Sequence, residues 1–321
     1  MIYKKIIENI KNASNIAIFS HINSDPDAIG SSIALKLALE SLNKNVAIFI
    51  EEPIHTNFDF LETKKHVNNS NIQSFDLAIG LDSPEPKRFG KNMSKFYKIK
   101  NSINIDHHLG NANYAKLNLV DVTSSSTANI IFNLLNVMKI EITSEIATCL
   151  YAGLCGDTGR FKHNNTTGKD FIVASKLYNH NADLQSVNFN LFSRMSVKEF
   201  NLLKLALNKA EFSLNGKFAL ICLNIKDFIS TDTNMENTHF LIDYLMNIDG
   251  VKIAVVMSQE KQEEFKVSVR SRDSYCAQNI AKCFGGGGHF YASGCRIFNR
   301  EEIAKERIIE AVMQEDKRCT E

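Results

Sequence analysis

Four short stretches of the chain carry side chains that can chelate cations or move protons. The first, Ser20-His21-Ile22-Asn23-Ser24-Asp25-Pro26-Asp27, offers one imidazole and two carboxylates in close succession. The second is Asp82, with Pro84 just beyond it. The third is Asp106-His107-His108, and the fourth is Cys155-Gly156-Asp157-Thr158-Gly159. Imidazole and carboxylate together suit borderline and hard divalent cations. Unpaired acids gathered at one place repel one another, so a bound cation is their natural counter-charge. A plainer reading of Asp25 stands beside this one. Ahead of Pro26 it is a good helix N-cap, with proline at the first helical position.

These stretches follow elements that would bring them together. Apolar runs at Ile16–Phe19, Val46–Ile50, Leu77–Leu81 and Ile103–Ile105 read as buried strands. Helical spacing covers Ile29–Leu42, Thr127–Met138 and Glu145–Cys155. Alternating strands and helices predict an α/β domain with a mainly parallel sheet. In such sheets ligands bind at the carboxyl ends of the strands, where three of the four acidic or imidazole stretches fall. The Ser124–Ser126 run reads as capping for the helix that follows it. Further on, 196–211 reads as a connecting helix. Strands at Phe218–Ile225, Ile253–Met257, Phe265–Val269 and Gly294–Phe298 then mix with helices at His239–Met246, Ala277–Cys283 and Glu301–Met313. The expected division is therefore a domain over 1–190, a helical linker over 191–214 and a smaller α/β domain over 215–321.

Composition narrows the function classes. The 321 residues are 44% hydrophobic, and Lys+Arg 37 against Asp+Glu 36 leaves a net charge of +1. A coat for long duplex nucleic acid needs a strong basic excess, which is absent. No apolar run approaches the ~20 residues that span a bilayer, and the N-terminal stretch lacks a continuous signal-peptide core. The seven cysteines are scattered, without a CxxC pair. That pattern disfavours zinc–thiolate sites and disulfide scaffolds, and a reduced, cytoplasmic protein is expected.

The blocks, taken in order, resemble the DHH phosphoesterases. His21-x-x-x-Asp25-x-Asp27, Asp82, Asp106-His107-His108 and Gly156-Asp157-Thr158-Gly159 match the four N-terminal blocks of that family. Gly286-Gly287-Gly288-His289-x-x-Ala292-x-Gly294 matches its accessory DHHA1 domain. The resemblance implies an α/β DHH domain joined to an α/β DHHA1 domain, with the active site in the cleft between them. It implies two divalent cations, manganese being the expected metal. One would be held by His21, Asp25 and Asp82, the other by Asp27, Asp82, His107 and Asp157, with Asp82 bridging. It further implies that Asp106 orients His107, and that His108 donates to phosphoryl oxygens.

In the accessory domain, Arg270 and Ser271 match the family's phosphate-binding pair, and arginine forks suit phosphates. Gly286, Gly287, Gly288 and His289 would approach a phosphate or base, although a flexible turn is the plainer reading of the glycines. Arg272 reads as a solvated charge. Arg88 reads equally as a phosphate contact or an exposed helix-start arginine. Phe290 and Tyr291 are expected to pack inside the domain, and His163, His180 and His239 to be surface or satisfied histidines.

A chain of this length most resembles the bacterial nano-RNases. These degrade oligoribonucleotides of a few residues and dephosphorylate adenosine 3′,5′-bisphosphate (pAp). Short RNA or linear dinucleotides such as pApA and pGpG are therefore the expected substrates, and the family admits a homodimer. A near neighbour in the family cleaves cyclic di-AMP, which is the first alternative. A family II inorganic pyrophosphatase lacks the GGGH block, and a RecJ-like exonuclease brings an additional domain for single strands. A non-catalytic nucleotide sensor could dispense with metal ligands that this sequence retains.

Overall fold

The structure, a computed structural model, describes residues 2–320. The chain divides into two compact units, Met1–Arg194 and Met195–Glu321. The first runs through α1 (Ile2–Asn12), β1 (Asn15–Phe19), α2 (Pro26–Glu40), β2 (Asn45–Phe49), α3 (Thr63–His66), β3 (Leu77–Leu81), α4 (Met93–Lys98), β4 (Asn101–Asp106) and β5 (Leu117–Val120). It closes with α5 (Thr127–Met138), α6 (Ser144–Asp157), α7 (Gly168–Asn179) and α8 (Leu184–Asn188).

Its five strands form a parallel sheet in the order β2-β1-β3-β4-β5. The inner strands read as continuous apolar runs because both sheet faces are covered. One face packs into a core with Ile29, Ile33, Ile131 and Leu150 of the helices. The other closes over Ala17, Phe19, Ala78, Phe89 and Phe96, whose rings meet at 5.1–5.8 Å. From β1 the chain moves to β2 on one side, then to β3 on the other. The order thus reverses between β1 and β3, the switch point where such sheets open a ligand crevice.

Two helices carry acids to that crevice from above the sheet. Helix α2 begins at Pro26 with Asp25 as its N-cap, and α6 ends at Asp157. They pack closely because glycines face the contact. A Cβ at Gly30 would overlap the Cys149 carbonyl, and one at Gly153 would lie 2.6 Å from Asp27 Oδ1. Absent side chains here let the N-terminus of α2 lie against the C-terminal turn of α6.

Several elements went unread in the sequence. Helix α1 carries a buried stripe of Ile6 and Ile10. Strand β5 is a short, half-exposed edge that pairing with β4 defines. Helices α7 and α8 were likewise not anticipated.

The second unit holds α9 (Val197–Asn208), β6 (Glu211–Ser213), β7 (Phe218–Leu223), α10 (Ile225–Thr231), α11 (Leu241–Met246) and β8 (Ile253–Lys261). It continues through β9 (Glu264–Ser271), α12 (Ala277–Lys282), β10 (Gly287–Gly288), β11 (Ala292–Phe298) and α13 (Glu301–Thr320). The sheet order is β10-β11-β9-β8-β7-β6, with β7 and β8 parallel and the other pairs antiparallel. Helix α9, within the stretch expected as a connector, starts at a Ser196–Glu199 capping box. It contributes Leu202, Leu203 and Ala206 to the core beneath β7 and β8. No described helix is long and apolar enough to cross a membrane.

Candidate metal centre

Strands β1, β3 and β4 are neighbours, so the residues just past their carboxyl ends meet. His21 follows β1, Asp82 follows β3, and Asp106-His107-His108 ends β4. Asp82 takes a left-handed backbone (φ 52°), a conformation that aspartate tolerates better than most residues and that is often found at functional sites. Three overlapping groups have ligand atoms within 4.8 Å of one another. They are His21, Asp25 and Asp82; Asp27, His107 and Asp157; and Asp82, His107 and His108. Of the eight N-terminal residues singled out, the seven other than Asp106 thus fall in these groups, and Asp82 and His107 each belong to two.

The contacts orient each donor. Nδ1 of His21 lies 2.8 Å from the Ile22 carbonyl and must donate to it. That leaves Nε2 facing Asp25 Oδ2 at 3.6 Å and Asp82 Oδ2 at 3.5 Å. His107 Nε2 lies 3.0 Å from Asp157 Oδ2 and 3.5 Å from Asp82 Oδ1. Asp25 serves as the N-cap read for it, its Oδ1 accepting from Ala28 N at the start of α2, while its Oδ2 turns to His21.

Charge balance shows what the site wants. Burial raises the Asp27 carboxyl well above its ordinary range, and the neighbouring charges of Asp82 and Asp157 add to it. Burial also raises Asp157, although its hydrogen bond with His107 opposes this. Burial would raise Asp82 too, but hydrogen bonds with His107 and His21 hold it below the usual carboxylate range. Burial lowers both imidazoles. Hydrogen bonds with Asp25 and Asp82 nevertheless lift His21 to about 10, and those with Asp157 and Asp82 lift His107 to about 11. Crowded, buried carboxylates thus favour added positive charge, and the mixed oxygen and imidazole donors fit a divalent cation.

A cation binds neutral imidazole and ionised carboxylate, so its uptake must expel these protons. Affinity is expected to tighten from about pH 6 to about pH 8, by roughly tenfold per unit for each proton displaced. Manganese titrations followed by electron paramagnetic resonance at the two pH values check this. Equal dissociation constants would mean that the protons stay.

One orientation differs from expectation. Asp106 was expected against His107, but its Oδ1 lies 2.7 Å from Nδ1 of His108. Asn111 donates to its other oxygen, and Asn104 in turn holds Asn111. The reason is local: His107 turns toward Asp157, leaving His108 above the buried Asp106. His163, read as a surface or satisfied histidine, lies with Nδ1 3.0 Å from the Asp157 carbonyl. The exposed Arg88 brings its guanidinium to 3.5 Å from His21 Nδ1, beside the cluster.

The sequence reading missed Thr127, Asn111 and Asp170. Thr127 donates from its hydroxyl to Asp82 Oδ1 at 2.9 Å. A threonine directly after a capping serine run is the signal the sequence offers for the first of these. A cavity of about 310 Å³ lined by Leu37, Phe60, His66 and Cys149 contains none of the candidate ligand residues, so donor chemistry rather than cavity size points to the site.

In the second unit, Arg270 is half-buried at the end of β9 and His289 is exposed. Ser271, matched to the phosphate-binding pair, has its hydroxyl engaged within its own turn. It is buried, its hydroxyl donates to the Tyr275 carbonyl at 2.8 Å, and it accepts from Ala277 N at 3.1 Å. That hydroxyl holds the turn into α12. Gly286 lies so close to Gly294 and Cys295 that a Cβ would clash, and Gly288 takes φ 141°; Gly287 and Gly288 pair with β11. Gly286 and Gly288 thus serve a tight backbone approach rather than a flexible turn. Phe290 and Tyr291 are about half exposed, not packed inside, because they flank this glycine strand at the sheet edge.

Comparison with known proteins agrees with this geometry. Residues 15–154 match the DHH family, N-terminal domain, and residues 216–315 match the DHHA1 domain. The chain is 32% identical over 302 residues to the bifunctional oligoribonuclease and PAP phosphatase NrnA of Thermus thermophilus, covering 94% of this chain and 90% of that one. It is 27% identical to the protein of the same name from Bacillus subtilis, covering 93% and 94%. Its fold is that of an exopolyphosphatase-related protein from Bacteroides fragilis, with a TM-score of 0.89 at 24% identity, covering 99% of this chain and 97% of the other. With its imidazoles and carboxylates gathered at the sheet's switch point, the chain belongs to the DHH–DHHA1 family of phosphoesterases.

Proposed function

We propose that this protein hydrolyses short oligoribonucleotides and linear dinucleotides to mononucleotides, and pAp to AMP, with manganese as its metal. The observation that carries the reading is the cluster around Asp82, in a chain similar along nearly its whole length to a bifunctional oligoribonuclease and PAP phosphatase. His21, Asp25 and Asp82 would hold one cation, and Asp27, Asp82, His107 and Asp157 the other. When bound, such a pair lowers the pKa of a water and neutralises charge on the phosphoryl group. Imidazole among the donors favours manganese over magnesium, which prefers oxygen and its own waters.

The remaining steps belong to the chain's own groups. The hydrogen bond with Asp106 raises the pKa of His108, outweighing its burial, so the ring is charged at a higher pH than a free imidazole. Its Nδ1 is committed to Asp106, leaving Nε2 to donate to a phosphoryl oxygen. Water is the nucleophile, the P–O bond to the departing sugar oxygen breaks, and no covalent enzyme intermediate forms. Arg270 and His289, with the backbone of Gly286, Gly287 and Gly288, would grip the rest of the nucleotide. Ser271 would act by holding that segment in place. Short substrates suit a chain of net charge +1, since few phosphates need neutralising. Free cysteines throughout belong with a reducing, cytoplasmic setting.

Chromatography of products from pApA, pAp, cyclic di-AMP, a short RNA and pyrophosphate, each with manganese and with EDTA, tests the proposal. AMP should appear from pApA and pAp, and mononucleotides from the RNA, only with manganese. Faster turnover of cyclic di-AMP than of pApA would move the assignment to a cyclic-dinucleotide phosphodiesterase. Turnover of pyrophosphate alone would overturn it.

A further inference from the structure

The N-terminus of α5 is aimed at the acid cluster. Thr127 N donates to Asp27 Oδ2 at 2.6 Å, and Ala128 N donates to Asp27 Oδ1 at 2.9 Å. These are two of the amide donors that a helix leaves without internal partners, and the helix dipole favours the anion. The helix has its own cap in Ser126, which accepts from Asn129 N, so Asp27 is a second, tertiary partner. On the same turn the Thr127 hydroxyl donates to Asp82 Oδ1 at 2.9 Å, fully buried.

We infer that Thr127 is a positioning residue that sets the rotation of the Asp82 carboxylate, so that each of its oxygens serves a different metal group. This rests on the metal reading above. Asp82 Oδ1 faces His107 Nε2 and Oδ2 faces His21 Nε2, both at 3.5 Å. A carboxylate about its Cβ–Cγ bond has a broad, soft torsion, and nothing in the aspartate itself selects this plane. The Thr127 proton occupies one of about four lone-pair directions on the carboxylate and leaves the others open.

The donor is itself held in place. Ser125 Oγ and Asn129 Nδ2 both donate to Oδ1 of the buried Asp170, whose Oδ2 accepts from Thr167 N at 2.6 Å and Thr167 Oγ1 at 2.9 Å. Asn165 Nδ2 bridges the carbonyls of Ser125 and Asp157, at 3.2 Å each. The turn that presents Thr127 is thus clamped to α7 and to the end of α6, where the ligand Asp157 sits.

Manganese titration calorimetry on EDTA-stripped protein, with thermal midpoints recorded alongside, tests this. Thr127→Val keeps the shape and removes the hydroxyl. It should weaken at least one manganese site by about 10–100-fold and leave the metal-free midpoint within a few degrees of the parent. Thr127→Ser should restore binding to within about threefold. Thr127→Ala replaces the valine variant if that does not fold. Parent-like binding by Thr127→Val overturns the inference while the metal reading stands. A serine variant as weak as valine overturns it too, since packing of the methyl would then be the cause. A parent protein that binds no manganese overturns both.

Discussion

Asp82→Asn should lower kcat/KM by at least ~10³-fold with every substrate the protein turns over, since loss of several kcal/mol of metal-borne charge stabilisation corresponds to that factor. Asn is the informative substitution. It fits the volume and tolerates the left-handed backbone at this position (φ 52°), where alanine would be strained. It can still accept from Thr127, so folding should survive. What disappears is the negative charge that His21 and His107 both face at 3.5 Å. Metal content measured by mass spectrometry should fall for both ions together, because Asp82 stands in two of the three ligand groups. Loss of one ion, with the other retained at parent affinity, would mean that Asp82 does not bridge. Near-parent turnover with metal present would sink the two-metal assignment.

His108→Ala should cut kcat by about 10²–10³-fold, the usual cost of removing one preorganised donor from a developing oxyanion. Here metal content should stay at the parent level. The ring is 42% exposed on its side chain, against 5% for His21, as suits a group that meets substrate. Its Nδ1 is committed to the fully buried Asp106. Loss of the ring leaves one oxygen of Asp106 without that partner, while Asn111 still serves the other, so a modest fall in thermal midpoint should accompany the loss of rate. The competing possibility is specific, because His108 also lies in a ligand group with Asp82 and His107. If His108→Ala sheds metal in proportion to activity, the residue is a ligand rather than a donor to phosphate. The two variants therefore separate charge at the metals from donation to the phosphoryl group.

The gathering of these side chains is legible in the chain because the candidate ligands sit where strands and helices end. Apolar runs marked β1, β3 and β4, and parallel-sheet geometry sends the residues just after them to one edge. Pro26 marked the start of α2, which fixed where Asp25 and Asp27 would lie. The residues that support the ligands were not legible in this way. Thr127, Asn111 and Asp170 act on partners 45, 5 and 45 residues away. No local period or cap signal encodes such pairings. The choice of His108 as partner of Asp106 is hidden in the sequence for a related reason. Adjacent imidazoles are equivalent in sequence, and only the position of Asp157 decides which of them turns to the cluster.

The second unit shows the same division. Its glycine block was visible as a block, yet whether the glycines make a flexible turn or a strand was not. Pairing of β10 with β11 answered that, by leaving no room for a Cβ at Gly286. Ser271 beside Arg270 matches a phosphate-binding pair in sequence, and only the fold shows that backbone groups of the following turn hold its hydroxyl.

By itself, the sequence determined the α/β class, the order of the blocks, and which acids and imidazoles gather at the carboxyl edge of the sheet. Those follow from burial patterns and chain punctuation, which are local properties. The tertiary structure alone decided which oxygen of each carboxylate faces which imidazole, which histidine Asp106 holds, and how the turn into α5 braces Asp27 and Asp82. Those are properties of side-chain rotation in a packed, desolvated site, where a buried polar group takes whichever partner the neighbouring backbone brings within reach.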